Sequence, residues 1–390
     1  MSASDPRRAA LAERIVFEAE GRARGPVVFV CAALHGNETD GLLAAQAVAA
    51  AIDPRQLRGK LVVFVGNRGA LASGQRYQER DLNRAFSEER FQAWSSGALG
   101  ASAEDGEQRA ILELLAERAP RDGSRAVLLD LHSTSGGGPP FVVFGDTRAN
   151  RRIGLALGIP AILGLEEAID GTLLEFLARR GHVAVCVEGG KIGEPQTGAL
   201  LEAALWVALV AAGALPASAV PDLPAKRAKL RSSAGALPRV LEIRHRHALH
   251  PEQSFRMRPG WKGFDRLARG TVLADDHAGE VRSPEDGFLL MPLYQARGDD
   301  GFFLAREVRR IWLHVATAFR ALRLDRVVPL LPGVARDAEE PETLLVDPRI
   351  ARWWTVEIFH LLGYRRQRAR GALLAFSRRR PGHLPALPIR

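Results

Sequence analysis

The stretch Val27-Val28-Phe29-Val30-Cys31-Ala32-Ala33-Leu34-His35-Gly36-Asn37-Glu38 runs from an apolar segment into a polar turn, and its reading decides the fold. Residues 27–33 have the composition of a buried strand, and residues 39–51 follow as an Ala/Leu-rich helical pattern. Strand, turn and helix in that order open an α/β unit. His35 and Glu38 stand three residues apart where the helix begins, a spacing that sets both side chains on one face of a helical turn. One imidazole nitrogen and one carboxylate oxygen can then approach a common ion, at roughly 2.0–2.2 Å each if it is zinc. Gly36 lets the backbone turn where a side chain would hinder it. The same H-x-x-E also fits an ordinary loop in which Glu38 favours a helix N-terminus, so the rest of the chain has to choose.

Outward from that stretch, short β-branched runs alternate with helical patterns. Strands are expected at 27–33, 60–66, 126–131, 141–144, 161–163 and 183–187, and helices at 39–51, 107–118, 153–157, 173–180 and 200–212. Such alternation predicts an α/β fold, a mixed and mainly parallel sheet with helices on both faces. Ligands of such sheets bind beyond the carboxyl ends of the strands, where His35, Asn67, His132 and Glu188 fall. Residues 1–213 form this expected α/β domain, and the Pro-, Ala-, Ser- and Lys-rich residues 214–238 read as a linker. Short runs with Gly/Pro/Asp turns over 239–326 predict a small antiparallel β domain. Residues 327–390 form a basic C-terminal extension, with a helix expected at 348–362 and a strand at 372–377. Arg365, Arg366, Arg368, Arg370, Arg378, Arg379 and Arg380 concentrate its charge.

The 390 residues are 46% hydrophobic, enough for a sizeable core, and carry a formal charge of +9, mostly as arginine. That charge is diffuse before the C-terminal end and little interleaved with aromatics, which argues against nucleic acid as a partner. Cys31 and Cys186 both lie in apolar runs and read as core residues of a reducing compartment. The charged N-terminus lacks the apolar segment of a signal peptide. The apolar stretch 203–220 is broken by Pro216 and opened by Glu202, so it reads as a buried helix and not a membrane span. A soluble, cytoplasmic protein is expected; the oligomeric state is not legible.

Chemistry gathers at three further places. His132, in Asp130-Leu131-His132-Ser133-Thr134, closes a strand, and Asp130 beside it can orient a ligating imidazole. A His/Glu/His set leaves a fourth position for water, the pattern of a catalytic zinc site. Glu188, in Val187-Glu188-Gly189-Gly190, is a lone carboxylate ending an apolar strand and a candidate base. Arg76 and Arg84, in Gly74-Gln75-Arg76-Tyr77-Gln78-Glu79-Arg80-Asp81-Leu82-Asn83-Arg84, can supply bidentate carboxylate recognition and donors to an oxyanion. His245, His247 and His250 have no carboxylate at a ligating spacing and read as a basic surface strand. Arg76, Arg80, Arg84, Arg179 and Arg180, against Glu79, Asp81 and Glu188, predict a pocket with surplus positive charge and hence an anionic substrate.

H-G-N-E, D-L-N-R, D-L-H-S-T and V-E-G-G, in this order, resemble the succinylglutamate desuccinylase/aspartoacylase family of zinc carboxypeptidase-like amidohydrolases. The resemblance runs from residue 27 to 308 and includes Ser283-Pro284-Glu285-Asp286-Gly287-Phe288 and Gly301-Phe302-Phe303-Leu304. It implies one zinc ion per chain on His35, Glu38 and His132, with Glu188 as the catalytic base. It further implies that Arg76 polarises the scissile carbonyl and that Asn83 and Arg84 hold the substrate's carboxylate. The implied activity is hydrolysis of the carbon–nitrogen bond of an N-acyl amino acid or similar small anionic substrate. Two departures stand out. The aspartoacylase branch has a further carboxylate-binding Arg ten residues before the base, where this chain has Ala178; Arg179 or Arg180 is the nearest substitute. Gly190 stands where the family often has Pro. Two other activities fit the same residues: a zinc carboxypeptidase acting on short peptides, and a metal- or carboxylate-binding module without catalysis. The second domain is expected to shape access to the metal, with Tyr294 as its residue closest to substrate.

Overall fold

The structure is a computed structural model and describes residues 13–249, 254–295, 297–322, 327–338, 343–347, 349–350, 359, 362, 364, 366–370 and 373–377. The first strands in chain order are β1 (Ile15–Glu20), β2 (Ala23–Ala32), β3 (Arg58–Val65), β4 (Val127–Thr134), β5 (Phe141–Val143), β6 (Ala161–Leu163), β7 (Val183–Lys191) and β8 (Val240–Ala248). They are followed by β9 (Arg256–Met257), β10 (Arg266–Leu267), β11 (Val272–Asp276), β12 (Gly279–Arg282), β13 (Gly287–Leu290) and β14 (Asp300–Glu307). One 11-stranded sheet has the order β1-β3-β2-β4-β7-β5-β6-β8-β14-β13-β10. Two parallel blocks, β3–β2–β4–β7 and β5–β6–β8, meet at an antiparallel β7–β5 pairing, and the margins of the sheet are antiparallel.

The parallel strands are apolar on both faces because both are covered. Val28, Val30, Leu61, Val63, Leu129 and Val185 pack on one side with helices Asp40–Ala51 and Pro195–Ala212. Phe29, Cys31, Val62, Phe64 and Leu128 pack on the other with helices Ala103–Arg118 and Leu173–Arg179. Pro195–Ala212 is, among the described helices, the one long and apolar enough to cross a membrane, and 61% of that span is buried within the fold. It begins at residue 195, before the expected start, because Pro195 sits in its first turn, where a missing N–H costs nothing.

The stretch 214–238 is not an open linker. Asp222 caps a helix over Leu223–Ala234, accepting from the Ala225 N–H at 3.2 Å, and Leu223, Leu230 and Ala234 are buried. These sparse apolar positions share one face, and the exposed Lys and Arg between them hide the period in the sequence. Strands β8, β14, β13 and β10 continue the main sheet across the β6–β8 pairing, while β12-β11-β9 form a separate three-stranded sheet. Past the helix Arg310–Ala321, β15 (Val334–Arg336), β16 (Thr343–Val346), β17 (Arg366–Arg370) and β18 (Leu373–Ser377) make a four-stranded antiparallel sheet. Val328, Leu344, Phe359, Tyr364 and Phe376 form its core. The helix expected at 348–362 lies almost wholly outside the described residues, as do His250 and most of the C-terminal arginine cluster.

Candidate metal and catalytic site

At the end of β2 the chain turns before the helix starts. Ala33 takes a left-handed φ of 53°, and the Glu38 N–H donates to the His35 carbonyl at 3.1 Å. The helix begins only at Asp40, so His35 and Glu38 share a face of this turn and not of a helix. Gly36 is required: a Cβ there would meet the Ala70 carbonyl carbon at 2.0 Å, inside any allowed contact.

Within this turn, His35 Nδ1 lies 2.8 Å from Glu38 Oε1, and His132 Nδ1, from β4, lies 2.9 Å from Glu38 Oε2. Ligand atoms of these three buried residues all fall within 4.8 Å of one another. The far nitrogens are turned away: His35 Nε2 is 3.1 Å from Asp81 and His132 Nε2 is 3.0 Å from Asp130. Both imidazoles thus aim Nδ1 at one point, the arrangement that carboxylates impose on ligating histidines. Glu38, Asp81, Asp130 and Glu188 are all buried here against the guanidinium of Arg76. So many carboxylates out of water need compensating positive charge, and a divalent cation among His35, Glu38 and His132 fits that need. Burial alone would raise the Glu38 carboxyl, but His35 and His132 hold it well below the usual range. Burial would likewise lower His132, yet Asp130 and Glu38 raise it.

The loop before residue 84 is held from beneath. Buried Glu104 accepts from the backbone N–H groups of Gln78 at 2.8 Å and Glu79 at 3.1 Å, and from Asn67 Nδ2 at 3.2 Å. Asn67, at the end of β3, is occupied there and in capping the next helix through Ala70 N, so it stays out of the site. With the loop fixed, Arg76 reaches Glu38 Oε1 at 3.3 Å and Asp81 Oδ2 at 2.9 Å. Asp81 also accepts from the Asn83 N–H at 2.8 Å, opening the short turn Leu82–Arg84. Asn83 Oδ1 accepts from Leu173 N at 3.0 Å, which leaves Nδ2 as the group offered to the cavity. Asp81 opens the D-L-N-R motif, but in the sequence it has no role of its own beyond an N-cap spacing before Asn83, and Glu104 stands in no motif.

Glu188 lies inside β7 and not at its end, because β7 runs on to Lys191 beside β4. It is opposite His132 in register. Its Oε2 is buried without a hydrogen-bond partner. Burial pushes its carboxyl up to about 7, with Glu38 adding to the shift and His132 opposing it.

One cavity joins these groups, lined by His35, Glu38, Arg76, Asn83, Arg84, Asp130, His132 and Glu188. The second half of the chain closes it with Met291, Leu293, Gln295, Asp299, Asp300 and Phe303. Tyr294 does not line it: its hydroxyl donates to the Arg258 carbonyl at 2.8 Å and accepts from Trp261 N. Of the arginines expected at the pocket, Arg76 and Arg84 line the cavity, whereas Arg80, Arg179 and Arg180 are not in its lining. Arg80 pairs with Asp105 and Arg179 with Glu175. Arg180 pairs with Glu88 at 3.0 Å and lies between the rings of Phe91 and Phe176, 4.0 and 3.9 Å from their centroids. Ala178 packs against the core. Arg180 is therefore structural. Arg180→Ala should lower unfolding stability by about 2–4 kcal/mol, through an orphaned Glu88 and a void between two rings. Denaturant melts and substrate kinetics check this; intact stability with altered kinetics would place Arg180 at the site after all.

Residues 24–212 match the family described as the succinylglutamate desuccinylase/aspartoacylase catalytic domain. The chain is 30% identical over 190 residues to a probable aspartoacylase of Parasynechococcus marenigrum (strain WH8102), covering 47% of this chain and 59% of that protein. It is 32% identical over 121 residues to an N-acyl-aromatic-L-amino acid amidohydrolase (carboxylate-forming) of Xenopus tropicalis, covering 30% and 37%. The chain thus spans about half the length of the curated relatives it matches. Its fold is similar to that of a succinylglutamate desuccinylase/aspartoacylase from Rhodobacter sphaeroides, with a TM-score of 0.57 over 75% of this chain and 88% of that one, at 15% identity.

Proposed function

Through residues 24–212 the chain belongs to the succinylglutamate desuccinylase/aspartoacylase family, and from that premise we propose that it is a zinc-dependent amidohydrolase cleaving the amide bond of an N-acyl amino acid or similar small carboxylate. The observation that carries this reading is the convergence of His35 Nδ1, the Glu38 carboxylate and His132 Nδ1 in one cavity with the unbonded Glu188 oxygen. His35, Glu38 and His132 would hold the zinc ion, which when bound would lower the pKa of water to about 7 and polarise a carbonyl. Glu188 accepts a proton from the attacking water and returns it to the amide nitrogen as the carbon–nitrogen bond breaks; a carboxyl near neutrality can do both. Arg76, fixed by Glu38 and Asp81, stabilises the oxyanion that forms on the carbonyl oxygen. Asn83 Nδ2 and Arg84 bind the substrate's carboxylate.

The test is zinc-loaded protein assayed on a panel of N-acyl amino acids beside dipeptides. Hydrolysis of the N-acyl compounds is expected, and faster turnover of the dipeptides would overturn the assignment. Asp81→Asn should weaken zinc binding about tenfold to hundredfold, because His35 loses the carboxylate that orients it. A competition titration against a chromogenic chelator measures it, and unchanged affinity would deny Asp81 that role.

A further inference from the structure

The cavity beyond Glu188 is unlike the electropositive pocket that the sequence suggests. Its wall is apolar, made by Val143, Leu165, Ile169, Leu174, Met291 and Phe303. Arg76 and Arg84 are the arginines that line it among the described residues, and Arg76 is committed to Glu38 and Asp81. Arg84 is left for a substrate carboxylate, and it is already flanked by acids: Asp300 lies 3.3 Å from Nη2 and Asp299 3.5 Å from Nε. Asp300 is nearly buried and also pairs with Arg246. Asp299 is half-exposed at the opening of β14, and Glu166 adds a further carboxylate to the lining. Ala178, where the resemblance places a second carboxylate-binding arginine, packs against the core and is not part of the cavity lining.

One carboxylate on a substrate can use the open donors of Arg84 and Asn83. A second would enter an apolar, acid-lined space with no cation of its own, and a desolvated, unpaired charge is costly. We propose that this pocket selects N-acyl amino acids bearing a single carboxylate and an uncharged apolar side chain, and that Asp299 with Asp300 excludes dicarboxylates. This rests on the amide-hydrolase reading and narrows it. Asp300 fixes Arg84 by pairing with both Arg84 and Arg246, and Asp299 supplies the repulsion at the entrance.

The experiment compares N-acetyl-leucine, N-acetyl-aspartate and N-acetyl-lysine on zinc-loaded wild type and Asp299→Asn. Asp299 is exposed enough for this variant to fold. Wild type should favour the leucine compound over the aspartate compound by tenfold or more in kcat/KM, about the weight of one charged hydrogen bond or more. Asp299→Asn removes one half-screened like charge beside Arg84 and should raise the aspartate rate about threefold to tenfold more than it raises the leucine rate. Aspartate or lysine compounds turned over as fast as leucine would overturn the selectivity. Equal changes for both substrates in the variant would remove Asp299 from it. The same ligands titrated calorimetrically onto zinc-loaded Glu188→Gln give the preference without turnover. If that protein binds the leucine compound preferentially while wild type hydrolyses nothing, the hydrolase reading fails and the selectivity stands. Equal or reversed binding sinks the selectivity whatever the rates.

Discussion

Glu188→Gln is expected to reduce turnover of N-acyl amino acids by about 10²–10⁴-fold, the range that a positioned general base contributes, with zinc content unchanged. The reason is local. Glu188 shares the cavity with the proposed ligands but makes no hydrogen bond through Oε2, so its removal deletes a proton acceptor without unmaking the ligand set. Gln is nearly isosteric, and it relieves a buried carboxylate whose pKa burial has already raised to about 7. Folding should therefore be undisturbed or slightly favoured. Turnover, metal analysis and thermal melts on the same preparation decide the matter. A variant that keeps zinc and keeps wild-type turnover removes Glu188 from the chemistry. A variant that loses zinc makes it part of the ligand environment instead.

Much of this architecture was legible because fully buried parallel strands announce themselves. The runs around Val28–Ala32 and Leu61–Val65 are apolar at every position, since helices cover both faces, and each is followed by a turn and a helix. The ends of such strands then point to where a site must lie, and His35, His132 and Glu188 do line one cavity. What failed to show was whatever depends on contacts distant in sequence. Asp81 counted in the sequence only as an acid near the pocket and Glu104 drew no notice, yet one lies against His35 and the other collects the backbone N–H groups of the loop that carries Arg76. The helix Leu223–Ala234 hid behind its charged face. The arginines misled most: Arg80, Arg179 and Arg180 are near the site in sequence, but each has an acidic partner supplied by another turn of chain or helix. Counting charges along a segment cannot reveal which of them are already neutralised. Conversely, Asp299 and Asp300 bear on the cavity from more than two hundred positions beyond Arg84, so no local motif could have linked them to it.

Arg76→Ala should lower the turnover number by about 10²–10³-fold, the cost of losing one preorganised oxyanion donor, with little change in the Michaelis constant. Its guanidinium is largely buried and bound to Glu38 and Asp81 in the resting site, so its position is set before substrate arrives. A donor fixed in that way strengthens as negative charge grows on the carbonyl oxygen, which is a transition-state effect and not uniform binding. Arg84 should behave otherwise. It lines the cavity beside Asp299 and Asp300, and in the proposed role it holds the substrate's carboxylate, a group whose charge does not change as the amide bond breaks. Arg84→Ala should therefore raise the Michaelis constant of carboxylate substrates about tenfold to hundredfold and hardly affect the corresponding methyl esters. The two variants measured on acids and esters separate the roles, because one effect follows the carbonyl and the other follows the carboxylate. Small and equal losses for both variants on both substrate types would mean that these arginines only balance buried acids. The loss of Arg76 should also leave Glu38 and Asp81 short of a positive neighbour, so zinc, added in excess, should bind that variant no more weakly than wild type. Weaker zinc binding there would show that Arg76 supports the ligand geometry and not the oxyanion.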